Sequence, residues 1–161
     1  FSSLKDLNLL ILCGHNGAMD STDNGVRVKS AAPAFFCRTF DEALALTREA
    51  RDYLRDYGEE ESRELSIDIA ANFSVEIMRL TARLTNMMAW LLVQRAVHQG
   101  ELTREEVRED DWRLGGAEIC LADGEIDPEQ LPPYLGDLLR RSERLYSRIA
   151  RLDGMVAATP A

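Results

Sequence analysis

Residues 66–100, SIDIAANFSVEIMRLTARLTNMMAWLLVQRAVHQG, decide the fold of this chain. Ser66 is a suitable N-cap, and neither proline nor glycine follows before Gly100, so the stretch predicts one long helix. Apolar side chains recur at alternating steps of four and three residues, a heptad seam typical of a helix that packs lengthwise on others. The heptad seam comprises Phe73, Ile77, Leu80, Leu84, Met87, Leu91, Gln94 and His98. Burial along one seam cannot offset the entropy lost on ordering the helix, so it requires partner helices.

The two halves of this helix differ in polarity. Up to residue 86 its outer face is predicted to carry Ser74, Glu76, Arg79 and Arg83, whereas residues 87–97 are apolar nearly all round. A helix that is apolar on every side is covered on every side. We therefore expect either the rest of the monomer or a second copy to cover the candidate core or dimer-interface residues Met88, Trp90, Leu92, Val93 and Val97.

Two further helices are expected to flank the central one. Apolar residues at three- and four-residue steps predict an amphipathic helix over 41–57, ended by Gly58 and followed by a solvated acidic linker at 59–61. Pro132 and Pro133 open a third helix, since proline fits a first helical turn, and this helix runs to about Leu152. Three helices with matching seams and no convincing strand predict an all-α three-helix bundle with a long central helix.

An irregular acidic connection is predicted before the last helix. Residues 101–130 hold 11 acidic residues against three arginines. Thr103 and Glu106 match a capping box and predict a short helix over 104–111. Residues 114–121 are glycine-rich and short, which favours an extended segment.

The domain organisation follows from these elements. Residues 1–34 are predicted to be a flexible or upstream leader, 35–154 a single helical-bundle domain, and 155–161 a short flexible tail. The chain begins at a phenylalanine, so we expect Met19 to be the natural start and residues 1–18 to be upstream sequence.

Composition excludes several classes of partner. The chain has 161 residues and a formal net charge of −9, which argues against nucleic acid or an anionic membrane. No apolar run approaches the ~20 residues of a membrane-spanning helix. Three cysteines, Cys13, Cys37 and Cys120, are odd in number and lack a CxxC spacing, so reduced thiols in a cytoplasmic protein are expected.

Catalytic and metal-binding patterns are weak in this sequence. Only His15 and His98 are present, and His98 is predicted to be a histidine at the end of a helix, where the helix dipole favours it. Neither a G-x-S-x-G elbow nor a phosphate loop occurs. We therefore expect no enzyme activity, no cofactor and no metal. The alternative is a small helical enzyme or metal-binding protein centred on His98 and the acidic 101–130 segment.

Arginine is the main candidate for partner recognition. The last helix carries a row of arginines, and guanidinium groups bind carboxylates in two-point fashion. The alternative is that these arginines pair with the acidic connection or are solvated. Gln94 and Arg95 are further candidates, because they are polar on a predominantly apolar helix. The candidate partner-binding residues are thus Gln94, Arg95, Arg140, Arg144, Arg148 and Arg151.

Several segments together resemble one known family. Residues 79–97 read RLTARLTNMMAWLLVQRAV, residues 115–121 read GGAEICL, residues 131–133 read LPP and residues 142–153 read SERLYSRIARLD. Their order and spacing resemble the RcdA family, "regulator of CtrA degradation", over about residues 36–153. The resemblance implies a small α-helical bundle, dimeric in the best-known case, without catalysis.

The same resemblance implies a function. Members of the RcdA family act as adaptors for the ClpXP protease in bacterial cell-cycle control. They join a protease primed by a response-regulator-like protein and help to present selected protein substrates, including a master transcriptional regulator. A structural dimer module that binds another regulator is a further alternative.

Overall fold

The computed structural model describes residues 32–108, 112–124 and 126–158, and these contain helices and no strand. The predicted all-α class is confirmed. Three long helices and two short ones are present in this part of the chain. They are α1 (Ala32–Asp56), α2 (Gly58–Glu64), α3 (Ile67–Gln99), α4 (Ala117–Cys120) and α5 (Pro133–Ala158).

Helix α3 is the centre of the bundle and packs against both α1 and α5. Its apolar heptad-seam residues lie in the core except Ile77, which is half-buried against it. At the end of the seam Gln94 is buried and His98 is exposed. Residues of α1 and α5 at three- and four-residue spacing complete the core: Ala43, Leu46, Ala50 and Tyr53 from α1, and Leu135, Leu138, Leu145 and Ile149 from α5.

Helix α1 begins at Ala32, nine residues before the predicted start. Pro33 lies in its first turn, a position that proline favours and that signals a helix start. The added turns carry Phe36, whose ring lies 6.1 Å from that of Trp90 and 4.9 Å from that of His98. The predicted leader, apart from residues 32–34, lies outside the described residues, as does Met19.

Two other helix boundaries differ from the sequence prediction. The predicted acidic linker at 59–61 is part of α2, so that prediction was wrong; carboxylates in a first turn complement the helix dipole. The Tyr53 hydroxyl also donates a hydrogen bond to Glu61. Helix α5 runs through Gly154 to Ala158, because Val156 still packs against the core and extends the helix past its predicted end.

The connection between α3 and α5 keeps the predicted capping box but not the predicted helix. The Thr103 amide donates to Glu106 Oε2 (2.8 Å), and the Glu106 amide donates to Thr103 Oγ1 (3.2 Å). Over residues 104–108, the described part of the predicted helix, the helical structure is a 3-10 turn, Glu106–Arg108. The predicted extended segment at 114–121 instead contains α4, entered through Gly116 in the left-handed region at φ 77°.

The polar side of α3, formed by Glu76, Arg79 and Arg83, is buried, so the predicted place of these three on an outer face was wrong; Ser74 is exposed, as predicted. Glu76 and Arg79 pair with each other. Arg83 donates from Nε to the Cys120 carbonyl (2.6 Å) and from Nη1 to the Leu139 carbonyl (3.1 Å). The connection crosses over α3 here, and its backbone carbonyls need buried donors. These charges therefore hold the connection and α5 onto α3.

A candidate protein-interaction surface on helix α3

The face of α3 that the bundle leaves open is uncharged. It follows its own pattern of four- and three-residue steps, parallel to the heptad seam. We call it the outer stripe, and it comprises Ala71, Val75, Met78, Ala82, Thr85, Ala89, Leu92 and Ala96. Met78 is 71% exposed and Leu92 is 51% exposed. An apolar repeat of this length on a surface is typical of a contact with another protein.

The five candidate core or interface residues divide between the two sides of α3. Trp90 is buried, Met88, Val93 and Val97 are half-buried, and Leu92 is exposed. The described residues of one copy therefore cover only part of the apolar C-terminal half of α3.

Trp90 is held in the core by a polar contact as well as by packing. Its Nε1 donates to Asp153 Oδ1 at 2.8 Å, and Asp153 is itself buried. Arg113 donates to the same carboxylate, with Nε and Nη2 at 2.9 and 2.8 Å from Oδ2. A buried carboxylate stays charged at low cost only with such charge-assisted partners. Three segments, α3, α5 and the connection, meet at Asp153.

Gln94 and Arg95 are neighbours on α3, but their side chains differ in burial and in contacts. Gln94 is buried in the bundle, so its side chain does not reach the surface of a single copy. Arg95 is half-buried, and its guanidinium carbon lies 5.3 Å from the centroid of the Phe40 ring, a cation–π contact that ties α3 to α1.

The row of arginines on α5 also divides. Arg140 pairs with Asp137 at 3.3 Å, and Arg148 pairs with Glu42 of α1. Arg144 and Arg151 are exposed and form no ion pair with the described residues. The described ion pairs of this row thus go to α1 and α5 rather than to the acidic connection.

The groups considered for catalysis are dispersed. His98 is exposed beside Phe36 at the end of α3. Within residues 32–108, 112–124 and 126–158, histidine, cysteine and carboxylate side chains nowhere form a group of three or more that could hold a metal ion. Burial raises the pKa of the Cys120 thiol, which disfavours the thiolate that a nucleophile requires.

Sequence reasoning overlooked the outer stripe and the buried polar contacts. The stripe has a signal, because its residues repeat in the same three–four steps as the heptad seam, two positions earlier. The contacts of Arg83 and Asp153 leave no signal in the local sequence, since they join residues far apart in the chain.

Comparisons with known proteins agree with this geometry. The family model described as a protein of unknown function, DUF1465, matches residues 28–161. No match was found among curated proteins. Among solved structures, RcdA from Caulobacter crescentus CB15 is similar, with a TM-score of 0.63 and 37% sequence identity over 78% of this chain and 92% of that chain. None of the described helices has the length and hydropathy needed to cross a membrane. The chain therefore belongs to the RcdA-like DUF1465 family.

Proposed function

We propose that this chain is a cytoplasmic, non-enzymatic adaptor that helps to deliver cell-cycle regulatory substrates to the ClpXP protease through protein–protein interaction. The observation that carries the proposal is the 37% identity to RcdA over most of both chains. An adaptor acts by binding several proteins at once, so it needs surfaces rather than a reactive centre. The outer stripe and the unpaired arginines of α5 are surfaces of that kind.

The outer stripe supports a homodimer. Its residues carry no charge, and five of the eight are alanine or threonine, so the backbones of two α3 helices can approach closely. Two copies related by a two-fold axis would each place Met78 and Leu92 against the same stripe of the partner. The dimer would cover the part of the apolar C-terminal half of α3 that one copy leaves open.

The exposed arginines supply a second, polar surface. Arg144 and Arg151 lie seven residues apart on α5, which places them two turns apart on nearly the same side of the helix. Their guanidinium groups can each bind a carboxylate in a fork. We assign to this surface the contact with an acidic region of a protein partner, either a substrate or the response-regulator-like protein that primes the protease.

Reconstituted proteolysis tests the adaptor function. ClpXP from the same cell, its response-regulator-like primer and a fluorescently labelled substrate are combined with and without this chain. We expect faster degradation only when all components are present. Replacing Arg144 and Arg151 by glutamine should remove most of that acceleration, whereas replacing the paired Arg140 by glutamine should remove little.

The result that contradicts the proposal is equally concrete. If degradation rates stay unchanged across several substrates while the chain remains a dimer, the adaptor function is wrong. The chain would then be a structural dimer module for another regulator.

A further inference from the structure

A cavity of about 670 Å³ lies where α1, α2 and α5 meet, away from the outer stripe. Its lining contains four carboxylates, three tyrosines and no basic residue. Cavities of this size accommodate a side chain together with its backbone. The lining residues are Glu49, Asp52, Tyr53, Asp56, Tyr57, Glu61 and Tyr134.

Local sequence explains why these residues converge. Glu49, Asp52, Tyr53 and Asp56 follow one another on α1 at steps that place them on one side of the helix. Tyr57 lies at the break between α1 and α2, Glu61 lies on α2, and Tyr134 lies in the first turn of α5.

The aromatic walls are stacked and held in place. The Tyr53 ring lies 5.1 Å from that of Tyr134, at 27°, and 6.4 Å from that of Tyr57, at 28°. The Tyr53 hydroxyl donates to Glu61, and the Tyr134 hydroxyl donates to Glu49 at 2.9 Å. Because these bonds fix the rings of Tyr53 and Tyr134 before any ligand arrives, little side-chain entropy of these two residues is lost on binding.

The aromatic rings are also accessible. Tyr57 is 57% exposed and Tyr134 is 49% exposed. Exposed aromatic rings beside a cavity offer a π face to a cation, which is attracted to the ring quadrupole. Glu61 forms no ion pair with the described residues and adds to the attraction, whereas Glu49, Asp52 and Asp56 already pair with arginines.

Two carboxylate oxygens of the lining have no hydrogen-bond donor among the described residues. Arg55 donates to both oxygens of Asp56, and Arg141 donates to both oxygens of Glu49. Asp52 accepts its bonds at Oδ1, and Glu61 accepts from Tyr53 at Oε2. Asp52 Oδ2 and Glu61 Oε1 therefore remain available to a donor that enters the cavity.

We propose that this tyrosine-lined acidic cavity binds an arginine side chain of a protein partner. A guanidinium group is planar, stacks on aromatic faces and carries several donors, so it can contact a tyrosine ring and the free oxygens of Asp52 and Glu61 together. Lysine offers a compact ammonium that is more strongly hydrated and does not stack. The site involves none of the residues assigned to the adaptor surfaces and does not depend on that function.

Nuclear magnetic resonance titration of the full chain tests the proposal. The probes are the peptide acetyl-Gly-Arg-Gly-amide, the same peptide with citrulline, the neutral isostere, and the same peptide with lysine. We expect the arginine peptide to shift the resonances of Tyr53, Tyr57 and Tyr134 saturably. Citrulline should bind at least tenfold more weakly, and lysine several-fold more weakly.

Matched variants distinguish binding in the cavity from a general effect of the negative charge of the chain. Asp52→Asn and Tyr57→Ala should each weaken the arginine peptide at least fivefold. Asp41→Asn makes the same charge change 11 residues earlier on α1, outside the cavity, and should leave the affinity unchanged. Circular dichroism checks the fold, and because Tyr57 is more than half exposed, its truncation removes from the core only the stacking contact with Tyr53.

Several outcomes would overturn the assignment. These are the absence of saturable shifts, equal binding of the citrulline peptide, equal loss of affinity in Asp41→Asn and Asp52→Asn, or binding of the lysine peptide as tight as that of the arginine peptide. No protease is present in this assay, so its failure leaves the adaptor proposal untouched.

Discussion

Helix α3 carries two apolar repeats with the same three–four spacing, one on its buried face and the other on its exposed face. The phenylalanine, leucine and methionine residues of the heptad seam are buried against α1 and α5. The outer stripe holds mostly alanine and threonine and remains open. Periodicity thus indicates that a face makes contact, but residue size and the other helices of the chain decide what it contacts.

The polar side of α3 lies between the two repeats, and its burial does not follow from its charge. Glu76, Arg79 and Arg83 are charged yet buried, while the uncharged outer stripe is exposed. Charge alone would place them the other way round. The inversion follows from hydrogen bonding, since the buried guanidinium of Arg83 donates to the backbone carbonyls of Cys120 and Leu139.

The heptad seam should show the largest effect on stability. Leu80 is fully buried, so Leu80→Ala should lower the free energy of unfolding by about 2–5 kcal/mol through lost transfer energy and a cavity. Urea denaturation measures this change. Met78→Ala, two residues away on the outer stripe, is the control and should change the free energy by less than about 0.5 kcal/mol at a protein concentration where the chain is monomeric. Equal losses would mean that the two repeats are not different.

The polar side of α3 should come next. Arg83→Met keeps most of the side-chain volume but leaves the Cys120 carbonyl without the Arg83 donor, at a cost of about 1–3 kcal/mol, while the Leu139 carbonyl still accepts from Ser142 Oγ at 2.8 Å. Burial already lowers the pKa of Arg83, so part of the loss is offset by the removal of a buried charge. The exposed Arg144→Met should change the unfolding free energy very little. If Arg83→Met is more stable than the parent chain, the free-energy cost of burying the Arg83 charge exceeds the stabilisation by its hydrogen bonds.

The close approach of the connection to α3 should have a smaller effect. Gly116 has φ 77°, and an added Cβ would lie 2.8 Å from Asn86 Nδ2, so Gly116→Ala should cost about 1–2 kcal/mol. Gly100 has φ 74° but open space around it, so Gly100→Ala reports backbone strain alone. Thermal denaturation of both variants isolates the contact with Asn86. Identical shifts in melting temperature would mean that Asn86 moves aside freely.

The outer stripe should have the smallest effect on the fold and a clear one on assembly. Met78→Asp combined with Leu92→Asp should convert a dimer into a monomer by size-exclusion chromatography with light scattering, because two charges would be buried in the interface. Far-ultraviolet circular dichroism should be unchanged. An unaltered dimer would place the interface elsewhere. Asp68→Asn with Glu101→Gln, at the two ends of α3, is the control and should remain a dimer.

Local patterns predicted the elements better than their ends. The central helix at 67–99, the capping box of Thr103 and Glu106 and the helix opened at Pro133 were predicted, because each rests on a few neighbouring residues. The start of α1 and the C-terminal end of α5 were missed, because Phe36 and Val156 stabilise the added turns through contacts with distant parts of the chain.

Site residues were harder to place than elements. Trp90, Gln94 and Arg95 are adjacent on α3, but one is tied to Asp153, one is buried and one lies over Phe40. The tyrosine-lined cavity was missed altogether, since Tyr134 comes from a helix some 80 residues after Tyr53.

By itself the sequence determined an all-α chain built around one long helix, and its family. The helices follow from spacing and local propensity, which are encoded in short stretches, whereas the family follows from the resemblance of the quoted motifs. Only the tertiary structure decided that Arg83 is buried, that the outer stripe is open and that seven residues enclose a cavity. The physical reason is that burial depends on which segments pack together, and backbone carbonyls from a distant connection can bury a charge that its own neighbours would leave in solvent.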